Sequence, residues 1–569
     1  MSEPTSSTVG TYLATRLQQI GLRHYFTVPG DYNLVLLDEF LKNNGLKMIG
    51  CCNELNAGYA ADGYARATGG AAAVVVTFSV GGLSLLNAIA GAFAEDLPVI
   101  AISGGPNTNS EAEYELLHHT VGQVDYGYQR DIFAHVTAES VVIRHPTEAA
   151  RQIDHAIETA LRCRKPVYIE VACNIAGAPT SAPNLHRFSN HLGSDANSLA
   201  DAVEHAAELL NAAVKPVLIA GVKLRPWSAK EAFRKLADAA GYAVASMPNA
   251  KGLFSEEHPS YMGIYWGPVS SAGCSEIVES SDLYLVAGPT FTDYTTCGHA
   301  ALLNASKLIN AGPDCVMLPG QTYNNVALGE FLTELAPKLK PNDTSLVAFN
   351  RIRVDVPAQQ PGAPDTPLTT RQVCARIQRM LDANSIVIAE TGDSWFNAMN
   401  LELPEGSEFE IQMQYGSIGW SVGATLGYAL GADDSRRIIA LIGDGSFQLT
   451  AQELSTMIRY KLNPIIFLIN NGGYTIEVEI HDGPYNAIKN WKYTELIDVF
   501  NADDGNGWGC RVTTEQELDT AIQTAMTHGG PSLIEVQIDR DDCSKNLLEW
   551  GAHVAKNNAR PPRLKTEGL

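Results

Sequence analysis

The stretch RRIIALIGDGSFQLTAQELSTMIRYKLNPIIFLINNGGYT, residues 436–475, decides how the rest of the chain is read. Its two apolar runs, RRIIALIG and NPIIFLIN, fit strands buried on both faces of a sheet. The first delivers Gly443-Asp444-Gly445 into a tight turn, and Thr450-x-x-Glu453 offers a capping box near the start of the following helix. The second ends at Asn470-Asn471. In a right-handed βαβ unit both strand ends open at the same sheet edge, so Asp444 and Asn471 converge despite their separation. A carboxylate, an amide oxygen and the backbone carbonyl of Gly473 make an oxygen-only cage suited to Mg²⁺. Taken singly, Gly-Asp-Gly reads equally as an ordinary strand-to-helix turn, and Asn-Asn as a hairpin signal.

The same rhythm continues on either side. SIVIAE and PSLIEVQI complete a C-terminal α/β pattern. The first ~180 residues carry a helix near residues 9–21, the strand HYFTVPG, a helix from Tyr32, and the strands AAAVVVTF, LPVIAIS and KPVYIEVA. Between these lies a third pattern with strands KPVLIAG, YAVASMP and SDLYLVAG and a closing helix at LGEFLTELAPKL, and no G-x-G-x-x-G follows any of its strands. Runs rich in Pro, Ser, Asn and Gly at Gly177–Asn197 and Pro341–Thr369 read as linkers. The expected architecture is α/β, three doubly wound parallel-sheet domains at residues 1–185, 196–345 and 365–569, the last with a C-terminal tail.

Composition bounds the function. The 569 residues are 45% hydrophobic and 18% charged, which excludes a disordered or collagen-like chain. A net charge of −23 repels a phosphate backbone, so no nucleic-acid partner is expected. Residues 67–94 carry no charge and are long enough to span a bilayer, yet their β-branched run, the Gly81-Gly82 break and polar Thr77, Ser79, Ser84 and Asn87 suit a buried strand, turn and helix. No membrane partner is expected. The opening MSEPTSSTVG lacks the basic and apolar regions of a secretory signal, leaving the cytoplasm as the expected compartment. Ten scattered cysteines without C-x-x-C indicate neither zinc nor a disulfide framework.

Gly-Asp-Gly followed after 24 residues by Asn-Asn resembles the diphosphate-binding signature of thiamine diphosphate enzymes. From TVGTYLATRL to Trp550 the chain is similar to the pyruvate decarboxylase family of 2-oxo acid decarboxylases. PGDYNL (29–34), CCNELNAGYAADGYAR (51–66), LHHT (117–120), AETGDSWFN (389–397), GSIGWS (416–421) and YTIEVEIHDGPYN (474–486) carry the likeness. The resemblance implies the thiamine diphosphate-binding fold, that cofactor, and Mg²⁺ on Asp444, Asn471 and the Gly473 carbonyl. It implies non-oxidative decarboxylation of pyruvate to acetaldehyde and carbon dioxide through a carbanion and an enamine, as in alcoholic fermentation.

By the same resemblance Glu54 is the acid against the pyrimidine nitrogen, and Cys51, Cys52 and Leu55 beside it are expected to raise its pKa by desolvation. Without the resemblance, Glu54 reads as a helix N-terminal carboxylate. Gly416 and Ser417 border the pyrimidine, and Ile418 wedges between the two rings. Thr391, Gly445, Ser446, Tyr474, Thr475 and Ile476 line the diphosphate, where the helix start supplies N–H donors. Asp31, His118, His119 and Glu477 handle protons and the carboxylate: Glu477 protonation, Asp31 with His119 protonation and release, His118 the orientation of its neighbour. Tyr294, Trp395 and Trp550 match bulky pocket residues that leave room for a methyl group and reject an aromatic substrate.

Two departures stand out. AGVKLRPW lacks the regulatory cysteine that some members carry there, and NNGGYT has Gly472 where a bulkier residue is common, which is expected to loosen the loop slightly. Competing readings are an acetolactate-synthase-like carboligase, a decarboxylase of indolepyruvate or phenylpyruvate, and a non-catalytic cofactor-binding paralogue. Family geometry places Glu54 and Asp444 together only across a subunit interface, so a homodimer is the minimal unit, with pairing of dimers into a homotetramer implied.

Overall fold

The computed structural model describes residues 7–183, 188, 193–354 and 362–561; the remainder of both expected linkers and residues 562–569 of the expected tail lie outside them. Three large sheets organise the chain, beside a two-stranded pairing of Ser7–Thr8 with Pro179–Thr180. In the first, six parallel strands stand in the order Lys47–Gly50, His24–Thr27, Ala72–Val76, Val99–Gly105, Val167–Ala172, Ser140–Ile143. The third repeats this order with Glu408–Glu410, Ser385–Ala389, Arg437–Gly443, Ile465–Asn470, Ser532–Gln537 and Trp508–Val512. Numbered along the sequence, both run 2-1-3-4-6-5. The middle sheet has seven strands; its five parallel ones run from Tyr261–Ile264 to Leu308–Ala311, and two antiparallel strands, Cys315–Leu318 and Gln321–Asn324, extend that edge. The fold is three doubly wound α/β units.

Central strands are apolar on both faces because helices cover both, as in Val99–Gly105 and Ile465–Asn470. The first and third units share one core, in which Phe26, Val74 and Ala101 join Ile388, Ala440 and Leu468. Their contact is set by the helices Glu54–Thr68 and Trp420–Gly431, which approach backbone to backbone: a Cβ on Gly427 would sit 1.7 Å from the Ala60 carbonyl oxygen, and one on Gly63 2.1 Å from that of Ala424. Only glycine permits this approach. Arg66, buried on the first helix, pairs with Asp62, Glu95 and Glu410, and Arg225 of the middle unit reaches the same Glu410. One buried charge cluster thus ties all three units.

Several local expectations are corrected. Gly81 and Gly82 do not break the chain; they lie in the first turn of the helix Val80–Ala94, where a Cβ on Gly82 would strike Gln129, and the turn falls instead at Ser79 with φ 57°. The region 341–369 is not a bare linker, since it holds the helix Thr344–Ile352 with Ser345 and Phe349 buried. Tyr32 lies in a 3₁₀ turn, Asp31–Asn33, ahead of the helix Leu34–Leu41. Among the described residues no helix is long and apolar enough to cross a membrane, and the ten cysteines are free.

Candidate active site

In the third sheet Ser385–Ala389 and Arg437–Gly443 are neighbours whose following strands leave in opposite directions, so their carboxyl ends bound a crevice at the switch point. A cavity of about 400 Å³ opens there. Thr391 follows the first strand; Asp444, Gly445 and Ser446 follow the second; Asn471 and Gly473 through Glu477 follow the next; Ile418 comes from the loop before Trp420–Gly431. The structure therefore gathers eleven of the residues singled out in sequence around one cavity.

The tight turn expected at Gly443-Asp444-Gly445 is absent, because the strand passes straight into the helix Asp444–Thr450. Asp444 is buried, and its carboxylate accepts from Gly445 N at 2.7 Å and from Gly472 N at 2.6 Å. Burial pushes it up to about 6 against the pull of these donors. Gly472, with φ +82°, occupies the left-handed region that glycine adopts without strain and aims its N–H at Asp444. Asn471 Nδ2 donates to Thr475 Oγ1 at 2.5 Å, which leaves its amide oxygen for a ligand. Gly473 is pressed against the Asn486 carbonyl, 2.5 Å from where a Cβ would stand.

The expected capping box is also corrected. Thr450 ends the first of two short helices and donates to the Gly419 carbonyl at 2.6 Å. Glu453 starts the next helix but serves the first unit, accepting from Cys52 N at 3.1 Å and Asn56 Nδ2 at 2.8 Å. It thereby grips the start of the helix that carries Glu54, with Asn53 as N-cap. No periodicity within 436–475 signals a partner nearly 400 residues away.

The remaining proton-handling candidates lie elsewhere. Asp31 follows the first strand of the first sheet, on the edge of that sheet's own switch point, and meets His118 and His119, the ligating atoms of the three lying within 4.8 Å of one another. His118 Nε2 stands 2.6 Å from Asp31 Oδ2 and His119 Nε2 3.7 Å from Oδ1, so the tighter pair is Asp31–His118. His118 stacks on Tyr32 with centroids 5.0 Å apart, and His119 is held at φ 63°. Glu54 opens its helix beside Gly81, whose Cβ would lie 3.2 Å from Glu54 Oε1. None of Asp31, Glu54, His118 and His119 lines the cavity at Asp444.

Behind that cavity sits an aromatic block. Tyr294 packs edge-on against Trp395 at 6.0 Å and Trp550 at 5.0 Å, and both indoles are fully buried. These three do not line the cavity, and neither do Gly416 and Ser417; Gly416 sits against the block, where its Cβ would lie 3.8 Å from Tyr294 and 3.9 Å from Trp395. Burial first, then the charges of Glu477 and Asp293, raise the Tyr294 phenol above its ordinary pKa. Ser417 Oγ bonds Tyr59 Oη at 2.6 Å. Sequence reasoning missed Trp266, which donates to the Tyr294 carbonyl at 2.7 Å and stacks on Phe396, and Glu390, whose place inside AETGDSWFN discloses no role.

Comparison with known proteins agrees with this geometry. The chain matches the thiamine pyrophosphate enzyme N-terminal TPP binding domain over residues 7–127, the central domain over 203–338 and the C-terminal TPP binding domain over 390–536. A solved structure from Mycobacterium smegmatis described as a thiamin diphosphate-dependent enzyme superposes with TM-score 0.77 over 94% of this chain and 99% of that one, at 20% identity. Pyruvate decarboxylase 1 of Oryza sativa subsp. indica is 53% identical, spanning 99% of this chain and 94% of the relative. Pyruvate decarboxylase 3 of Arabidopsis thaliana is 53% identical over 98% and 95%. Three sheets in the order the domains require, a crevice built from Gly-Asp-Gly and Asn-Asn, and full-length identity above one half lead to one conclusion: the chain belongs to the pyruvate decarboxylase family of thiamine pyrophosphate enzymes.

Proposed function

We infer that this protein decarboxylates pyruvate to acetaldehyde and carbon dioxide, using thiamine diphosphate with Mg²⁺ at a site completed by a second copy of the chain. The observation that carries the reading is the cavity at Asp444, whose lining suits a magnesium diphosphate. Thr391 Oγ1 is buried without a protein partner, Gly445 leaves no room for a Cβ beside the Tyr474 ring, and Asp444, Asn471 and Gly473 offer oxygen donors alone. These three would hold Mg²⁺; Thr391, Gly445, Ser446, Tyr474, Thr475 and Ile476 the diphosphate; Gly416, Ser417 and Ile418 the pyrimidine and the bend between rings. When bound, the thiazolium supplies an electron sink for the pair released as carbon dioxide leaves.

The chain's own groups move the protons. Glu477 borders the cavity from the first turn of its helix and would face the substrate carboxylate and protonate. Asp31 bridges the two histidines, an arrangement that would let the cluster pass a proton between neighbours. Glu54 of a second copy would donate to the pyrimidine. The aromatic block would limit the substrate side chain, since a ring reaching it would have to displace indoles that are fully buried.

Pairing of two copies is supported by surface. Asp31 and His118 stand half exposed, and Val80 and Leu83 of the first unit and Tyr415 and Leu449 of the third present exposed apolar side chains next to the two half-sites. The test is a panel of pyruvate, indolepyruvate, phenylpyruvate and benzoylformate with acetaldehyde, carbon dioxide and acetolactate measured. Strong preference for pyruvate with acetaldehyde as main product is expected. Predominant acetolactate, or comparable rates with indolepyruvate, refutes the reading.

A further inference from the structure

Glu390 is fully buried at the end of the strand Ser385–Ala389, and among the described residues no cation pairs with it. An ionised carboxylate in that position is tolerated only where several N–H or O–H donors converge on it. They do, and they come from two segments that each contribute a residue to the cavity, Thr391 on one and Ile418 on the other. Oε1 accepts from Thr391 N at 2.8 Å, on the wall at the strand end. Oε2 accepts from Ser421 N at 3.0 Å and from the Ser421 hydroxyl, in the first turn of the helix Trp420–Gly431, directly after the loop that carries Ile418. Burial pushes the carboxyl up to about 6, and bonds from Ser421, Thr391 and Gly419 oppose this.

The neighbours of these donors are the cavity's own lining. Thr391 presents its unpartnered hydroxyl, and Ile418 lies three residues before Ser421. The loop carries glycines at 416 and 419, with φ +65° and +87°, and glycine's missing Cβ leaves its backbone many alternatives, so contacts from outside the loop select this one. On one side Thr450 holds the Gly419 carbonyl; on the other Glu390 holds the N–H side.

We propose that Glu390 is a positioning residue, a carboxylate clamp that fixes the distance between the Thr391 turn and the 416–421 loop, and with it the bend in which thiamine diphosphate is held. The inference rests on the reading above that the first wall takes the diphosphate and the second the pyrimidine. A ligand that spans both walls therefore depends on the clamp, whereas inorganic diphosphate, which reaches only the first, does not. Glu390→Gln keeps the volume but turns an amide N–H₂ toward donors, so one of the two walls loses its acceptor.

The test titrates wild type, Glu390→Gln and Ser421→Ala with thiamine diphosphate at fixed Mg²⁺, following tryptophan fluorescence, and measures inorganic diphosphate by displacement. Glu390→Gln is expected to weaken thiamine diphosphate at least ~10-fold and inorganic diphosphate less than ~3-fold; Ser421→Ala moves the same ratio by about 3-fold. Wild type that binds no thiamine diphosphate overturns the functional reading. Wild type that binds it while inorganic diphosphate fails to displace it, or variants that lose both ligands equally or neither, overturn the clamp alone. Should Glu390→Gln not fold, the Ser421→Ala ratio decides by itself.

Discussion

Gly445→Ala probes the cofactor cradle with one methyl group. Built on the backbone, the new Cβ would stand 2.4 Å from Tyr474 Cε1, 2.9 Å from Cδ1 and 3.0 Å from Cζ. Carbon atoms rest at about 3.5–4.0 Å, so the ring edge must retreat by roughly 1 Å. The backbone at 445 cannot give instead, because its N–H is fixed on the buried Asp444 carboxylate. Tyr474 lines the cavity, so a ring pushed that way enters the ligand's space. Overpacking of this size costs about 1–3 kcal/mol, which corresponds to ~5- to 150-fold weaker thiamine diphosphate when the ring intrudes on the ligand's space. Calorimetric titration at saturating Mg²⁺ reads this directly. The double variant Gly445→Ala/Tyr474→Ala isolates the cause: with the ring gone, the alanine at 445 is expected to change affinity by less than ~2-fold relative to Tyr474→Ala alone. An equal loss in both backgrounds refutes the argument, since the methyl group would then be acting without the ring.

Four further outcomes are expected. Chelation with EDTA should release thiamine diphosphate from wild type and added Mg²⁺ restore it, while Asp444→Asn should not be restored; cofactor retained in chelator would remove the metal from the site. Arg66→Met leaves Asp62, Glu95 and Glu410 without their shared cation and should cost about 3–5 kcal/mol, lowering the melting temperature by several degrees in calorimetry. Burial, opposed by the bond from Tyr168, pushes Glu170 up to about 7, so the folded chain keeps a proton that the unfolded one releases near 4.5; stability from this group is full below 4.5 and is lost as pH rises through about 7, on the order of 3 kcal/mol. Glu170→Gln should therefore gain melting temperature relative to wild type between pH 5 and pH 8, and a constant difference would contradict the shift. Mixing inactive Glu54→Gln with inactive Asp444→Asn subunits should recover roughly a quarter of wild-type activity, because half the reassociated dimers are mixed and each mixed dimer holds one intact site; no recovery would place both residues in one chain's site.

The third unit is the most legible in the sequence, because strands such as Ile465–Asn470 are apolar on both faces and end in residues with little use except at a crevice. Edge strands are not: Lys47–Gly50, Ser140–Ile143, Glu408–Glu410 and Trp508–Val512 are short and partly exposed, and they lack the apolar run that marks a central strand. Polar residues in turns mislead where their partners are distant. Thr450 and Glu453 fit a local cap by spacing, yet they bond Gly419 and the Cys52–Asn56 segment. Glu390 is silent in the sequence for the same reason, since the side chain gains meaning only beside Ser421, 31 residues on. The closer approach of Asp31 to His118 than to His119 depends on a positive φ at His119, which sequence does not display.

The repeated strand order of the first and third units explains why the chemistry is divided. In an open α/β sheet the crevice forms outside the carboxyl ends at the switch point, so each unit has one crevice to furnish. The third furnishes oxygen donors and apolar walls at Thr391, Ile418, Asp444 and Asn471; the first furnishes titratable groups at Asp31, with Glu54 after the adjoining strand. Within one chain the two units are already committed to each other by Gly63 and Gly427 at the helix crossing and by Glu453 on the Cys52–Asn56 segment. That packing leaves Glu54 outside the cavity at Asp444, and on the function proposed above the missing half would arrive on another copy with the same packing. On that proposal, association of two chains would build two complete crevices at once, related by the symmetry of the pair. Activity should accordingly depend on protein concentration wherever dimers dissociate, while each chain's own fold, held by its shared core, does not.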